Sequence, residues 1–140
     1  GASGMQLYIP TAGKYDYTVA RKINEFFGSY FAQKYPKKIT IERKVDKRGR
    51  KLYFDYLQMW QGKTITMVYS PRAKEKATVS MPVTWSEIEN GINPEDFTLN
   101  NALERLKKIG DLFEPLLNAK EPEKSLDEVV KHILNSDINN

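Results

Sequence analysis

"KLYFDYLQMWQGKTITMVYSPRA", Lys51 to Ala73, is the stretch on which the reading of this chain turns. It sets one carboxylate, Asp55, in a run of aromatic and β-branched residues, with basic residues before and after it. Charged groups avoid dry interiors unless they are paired or metal-bound. Asp55 is therefore either at the wet end of a strand or committed to a partner. Lys51–Leu57 and Thr64–Ser70 read as adjacent strands. The intervening "QMWQGK" is too short for a crossover helix, which predicts antiparallel pairing. Strand alternation puts Asp55 on one face with Tyr53 and Leu57, and turns Leu52, Phe54 and Tyr56 to the other.

Outward from this stretch the chain reads as strand, helix, three strands, then helices. "MQLYIP" is a short strand closed by Pro10, and the "GAS" before it has a tag-like composition. From Tyr17 to Tyr35, apolar residues Val19, Ile23, Phe26, Phe27, Tyr30 and Phe31 recur at three- and four-residue intervals, which predicts a helix with one buried face, stopped by Pro36. "ITIE", Ile39–Glu42, reads as a strand, and "KVDKRGR" as a basic connection with Gly49 in a tight turn. "TWSEIE" carries a capping box, Thr84 with Glu87, and Trp85 is expected to be a staple or core anchor. "NPEDF" is a turn-plus-acid element. "LNNALERLKKIG" is amphipathic, with Leu99, Leu103, Leu106 and Ile109 offered to the core and Gly110 as its stop. A short helix follows over Asp111–Asn118, then a final helix capped by Ser125 with Glu128, on whose apolar side lie Val129, His132 and Ile133. This order favours an α+β domain, a small mostly antiparallel sheet packed against helices with a C-terminal helical extension.

Composition excludes several chemistries. The chain of 140 residues has no cysteine and a single histidine, His132, so thiolate sites, disulfides and a Ser-His-Asp triad lack material. There is no Walker loop, Rossmann glycine signature or HExxH. No apolar run approaches the ~20 residues that span a bilayer, and no signal peptide is evident, which predicts a soluble, cytoplasmic protein.

The formal charge of +4 is unevenly spread: Gly1–Thr84 carries 16 basic and 6 acidic residues, against 6 and 12 from Trp85 onward. Within the basic part, "ERKVDKRGRK" alone matches the net charge of the whole chain. Such asymmetry favours polyanions, although an ordinary solvated basic face has the same composition. Arg48, Arg50 and Arg72 flank Asp55 in sequence, and strand pairing would bring them to one edge. Their guanidinium forks suit phosphate oxygens, with Lys47 and Lys51 adding point charge; a charged sheet edge that discourages aggregation is the alternative. Gln58 extends from the same strand end toward a ribose, a phosphate or a simple turn contact. Trp60 either stacks on a base or covers the edge of the core. Two-metal phosphoryl transfer needs several carboxylates around the ions. Asp16, Glu42, Asp46 and Glu75 have no convincing ligand spacing.

"GMQLYIP", "RGRKLYFDYLQ", "GKTITMVYSPRA", "VSMPVTWSEI" and "NPEDFTLNNALERLKKIGDLF" together resemble, in order and spacing, the C-terminal part of the primase-polymerase domain of bacterial ATP-dependent DNA ligase D, of the archaeo-eukaryotic primase superfamily. The resemblance runs from Gly4 to Leu117. It implies a C-terminal subdomain over residues 4–118 and a helical tail over 119–140. It further implies transfer of nucleotidyl groups from nucleoside triphosphates to DNA 3′ ends in end joining, with Ku and a ligase domain as partners and a nucleoid-associated location. Three acidic ligands for Mn²⁺ or Mg²⁺ are implied, two in an upstream DxD motif and the third Asp55, of DYxQ. Gln58, Arg48 and Arg72 fall at positions that contact the incoming nucleotide or its triphosphate. Gln6 stands where a histidine is common, and Ser3 and Gly4 resemble a serine-glycine pair at shortened spacing. The paired aspartates are not in this sequence, so the 140 residues alone are expected not to polymerise nucleotides, to hold no stably bound metal, and to expose a sheet face or pair it with a second copy. A non-enzymatic DNA- or protein-binding module is the rival expectation.

Overall fold

The computed structural model describes residues 4–138; Ser3 lies outside them. The chain divides into two compact units that interleave in sequence. One takes the described residues up to Pro10 with Thr64–Lys120; the other takes Thr11–Lys63 with those from Glu121 onward.

The second unit is built on α1, Tyr17–Lys34, where the aromatic periodicity predicts a helix. Asp16 caps it, its carboxylate accepting from the Val19 N–H at 2.8 Å. Ile23 and Gly28 are its buried residues. One side of α1 meets α6, Lys124–Ile138, where the Phe26 and His132 rings lie edge to face at 5.5 Å and Leu126 is buried. Lys14 and Tyr15, just before α1, both bond the Asp127 carboxylate on α6, Lys14 at 2.7 Å.

The other side of α1 carries the sheet, which differs from expectation. It has two parallel strands, β1 (Ile39–Thr40) and β2 (Leu52–Tyr53), with Ile39 opposite Leu52 and Thr40 opposite Tyr53. The Leu52 N–H donates to Lys38 O at 2.8 Å and the Phe54 N–H to Thr40 O at 2.9 Å. The cause is the basic connection over residues 41–51. It winds one turn of helix, α2 (Val45–Arg48), and leaves it through Gly49 at φ 60. This length lies at the short end of a parallel crossover, about 10–12 residues. β2 then stops, because Tyr56–Gln58 turns into 3₁₀ helix. Neither "MQLYIP" nor Thr64–Ser70 forms a strand.

Antiparallel contacts occur in the first unit as isolated bridges, Pro71 with Val79 and Thr78 with Thr98. Val79 and Thr78 are buried there. The capping box forms as the sequence predicts, Thr84 and Glu87 opening α3 (Trp85–Glu89), and "NPEDF" becomes a 3₁₀ turn over Pro94–Asp96 capped by Asn93. The helices α4 (Leu99–Ile109) and α5 (Glu114–Leu117) follow. Three expectations fail here and at the tail. Trp85 is 68% exposed, so it anchors no core. Leu99, Leu103 and Ile109 are also exposed; the covered side of α4 presents Arg105 as well as Leu106. Ser125 lies inside α6 and donates to Glu123, so it is not the cap. Among the described residues no helix is long and apolar enough to cross a membrane.

Candidate nucleotide and DNA interface

Asp55 lies two residues beyond the end of β2 and occupies the cap position of the 3₁₀ turn, exposed to solvent. Its neighbours on both sides are tied to α1. The Phe54 ring packs over Gly28, where an added Cβ would come within 3.1 Å of it, and lies 6.1 Å from the Phe31 ring. Asn24 on α1 donates to the Tyr56 carbonyl at 3.0 Å. With the Phe54 ring and the Tyr56 carbonyl held against the helix, Asp55 between them is left exposed.

Beside Asp55 lies Tyr53. Its hydroxyl donates to Asp55 Oδ1 at 3.3 Å, and the guanidinium of Arg48 lies over its ring, 3.7 Å from the centroid. Burial, then the neighbouring Asp55 carboxylate, raises the Tyr53 hydroxyl above the usual tyrosine range. Arg48 is fixed further by donating Nε to Glu42 O at 2.8 Å and Nη2 to Arg43 O at 2.7 Å. Those two acceptors orient the guanidinium without neutralising it. Arg48, Tyr53 and Asp55 therefore form one row, cation, ring and carboxylate. Sequence reasoning gave Tyr53 no role, although period-two alternation already placed it beside Asp55.

The other predicted residues are distributed as follows. Lys51 is exposed at the start of β2, and Gln58 is half-buried in the 3₁₀ turn. Arg50 is exposed beside Gly49. Gln6 and Arg72 belong to the first unit. Gln6 is exposed and accepts from the Tyr8 hydroxyl at 3.1 Å. Arg72 is half-buried, donates to the Thr66 hydroxyl, and its backbone N–H donates to Thr78 O at 2.7 Å. The strand pairing that was to bring Arg72 to Asp55 is absent among the described residues, because Thr64–Ser70 forms no strand to lie against β2. Tyr69, in the same "YSPRA" motif, sits at φ 62, a left-handed conformation unusual for a bulky residue. Its hydroxyl donates to Asp111 at 2.5 Å; burial first and that carboxylate second push it up to about 12.

Among the described residues no three His, Asp or Glu side chains converge on a point where a metal could sit. Asp55 alone does not fit a two-metal centre, which needs several carboxylates to hold both ions.

A family model described as LigD, primase-polymerase domain, matches residues 1–113. The chain belongs to the LigD primase-polymerase family. It is 38% identical over 114 residues to the bifunctional non-homologous end joining protein LigD of Bacillus subtilis, covering 81% of this chain and 19% of that protein. It is 31% identical over 118 residues to the multifunctional LigD of Mycolicibacterium smegmatis, covering 83% of this chain and 15% of that one. The LigD-type chain thus spans less than a fifth of these relatives. The polymerase domain of Mycobacterium tuberculosis ligase D, solved in complex with DNA, shares the fold at TM-score 0.70 and 22% identity, over 79% of this chain and 42% of that one.

Proposed function

We propose that this chain is the C-terminal part, residues 4–118 with a tail over 119–140, of a DNA end-joining polymerase that adds nucleotides to DNA 3′ ends. The observation that carries the reading is the Arg48–Tyr53–Asp55 row inside the matched family region. In the complete domain Asp55 acts as one of several carboxylates for Mn²⁺ or Mg²⁺, the others lying outside this sequence. Arg48, Lys51, Gln58, Arg72 and Gln6 meet the nucleoside triphosphate or the DNA phosphates. A guanidinium held by neutral acceptors keeps its charge for phosphate. DNA ends and nucleoside triphosphates are its substrates, a ligase domain and Ku its partners, and the nucleoid its place of action. The 140 residues alone do not polymerise.

Asp55→Asn tests this in a chain that carries the whole domain. Extension of primed DNA falls at least about a hundredfold, as loss of a metal-holding carboxylate requires, with DNA affinity largely retained. Equal extension by variant and parent rejects the assignment. The 140-residue chain, given labelled primed DNA, nucleoside triphosphates and Mn²⁺, yields no product above blank.

The rival, a non-enzymatic DNA- or protein-binding module, is favoured by one observation, the lack of a carboxylate cluster among the described residues. It requires the basic face but not Asp55, so the same variant separates the two.

A further inference from the structure

A second feature of the α1 unit lies outside the Arg48–Tyr53–Asp55 row. The loop after the 3₁₀ turn and the first two turns of α1 line a half-open cavity of about 480 Å³, within the range of sites for small ligands or single nucleotides. Its walls include Trp60 and Gly62 from the loop, and Tyr17, Arg21, Lys22 and Glu25 from α1. The guanidinium of Arg21 lies 4.4 Å from the centre of the Trp60 ring system. This contact fixes the indole by a cation–π interaction, yet leaves Trp60 51% exposed. Tyr17, on the rim, is 57% exposed. Gly62, at φ 83, has open space where a side chain would begin. The cavity therefore offers a rigid aromatic plate with an open surface, and two cations against one carboxylate.

We propose that this cavity seats an unpaired base of single-stranded DNA, stacked on Trp60, with its phosphates met by Arg21 and Lys22. A bare polyanion site would need the cations but not the indole, and an apolar-ligand site would not place two cations against one carboxylate on its wall. Aromatic stacking flanked by positive charge is how single strands are held without regard to sequence. The inference rests on the reading of the chain as a DNA-handling module and is independent of Asp55.

The test uses the 140-residue chain with Trp85→Phe, which leaves Trp60 as its only tryptophan, and oligothymidylate of about ten nucleotides as probe. Oligothymidylate quenches Trp60 fluorescence saturably, whereas a blunt duplex of the same length quenches it far less. Trp60→Leu weakens oligothymidylate binding, read by anisotropy of a labelled strand, by about 5- to 100-fold, and Trp60→Tyr restores it to within about threefold. Circular dichroism confirms that each variant folds. Undiminished affinity in Trp60→Leu, or equal quenching by duplex, overturns the proposal. No extension is measured, so failure of the polymerase reading at Asp55 and failure of this seat are separate results.

Discussion

Two arginines show how differently the two units use the same side chain. Arg105 on α4 donates Nη1 to Glu87 Oε1 at 2.6 Å and Nη2 to Glu87 Oε2 at 2.8 Å, a bidentate pair, and also lies over the Phe97 ring. Its charge is answered inside the fold. Arg48 is held as firmly, but by two carbonyl oxygens and a tyrosine ring. A guanidinium oriented without a counter-charge remains able to attract a phosphate, whereas one forked onto a carboxylate stabilises its own unit. Arginine content alone cannot tell these apart; the acceptor does.

The sharpest way to break this contrast is to remove each arginine in a chain carrying the whole polymerase domain. Arg48→Ala lowers nucleotide addition by about 10- to 100-fold, the worth of a charge-assisted bond, without a matching loss of stability. Arg105→Ala does the reverse, lowering the denaturation midpoint while activity per folded molecule stays near the parent's. If the two variants behave alike, the distinction fails.

Next in size is the support beneath Arg48 and Asp55. Gly28→Val drives a branched side chain toward Phe54 and Ile41, which already stand 3.1 and 3.3 Å from the position of an added Cβ. Overpacking there costs about 2 kcal/mol, read from urea unfolding. Because Phe54 adjoins Asp55, phosphate binding by the α1 unit weakens with it.

Smaller is the acid sensitivity of the Arg105 pair. The Arg105 guanidinium first, then the Thr84 backbone, holds the Glu87 carboxyl down at about 2, below its ordinary 4.5. A depressed carboxylate contributes stability that is complete above about pH 4.5 and lost as pH falls toward about 2. Glu87→Gln keeps the capping geometry and removes the charge. It is less stable than the parent by about 1 kcal/mol at pH 7, and the gap narrows through that acid window. A gap that stays constant with pH sinks the ion-pair account.

The smallest effect is Tyr53→Phe, which keeps the ring under Arg48 and removes only the hydroxyl to Asp55. Phosphate affinity changes by no more than about twofold, while Tyr53→Leu, which removes the ring as well, weakens it by about fivefold.

Local signals in the sequence carried far where the chain's own neighbours decide the outcome. The helix over Tyr17–Lys34 follows from aromatic spacing, and α3 from the Thr84–Glu87 box, because these depend on residues three or four apart. Asp55 stood out because a carboxylate amid "LYFDYLQ" conflicts with burial, and its pairing with Tyr53 lay within the alternation. The α4 face misled, since a stripe of leucines specifies an apolar surface without specifying what covers it. Ser125 misled for a related reason: a good cap residue is only used if the helix starts there, and α6 starts at Lys124.

The sequence by itself determined the helices α1, α3 and α4, the position of the charged row along the chain, and membership of the LigD primase-polymerase family, because each is written in short-range spacing and motif. Tertiary structure alone decided that β2 runs parallel to β1, that Arg48 and Asp55 meet at one tyrosine, and that Arg105 rather than Arg48 is neutralised. Those outcomes depend on contacts between segments distant in sequence, where the direction of a connection and the identity of an acceptor are fixed by packing, which no local propensity specifies.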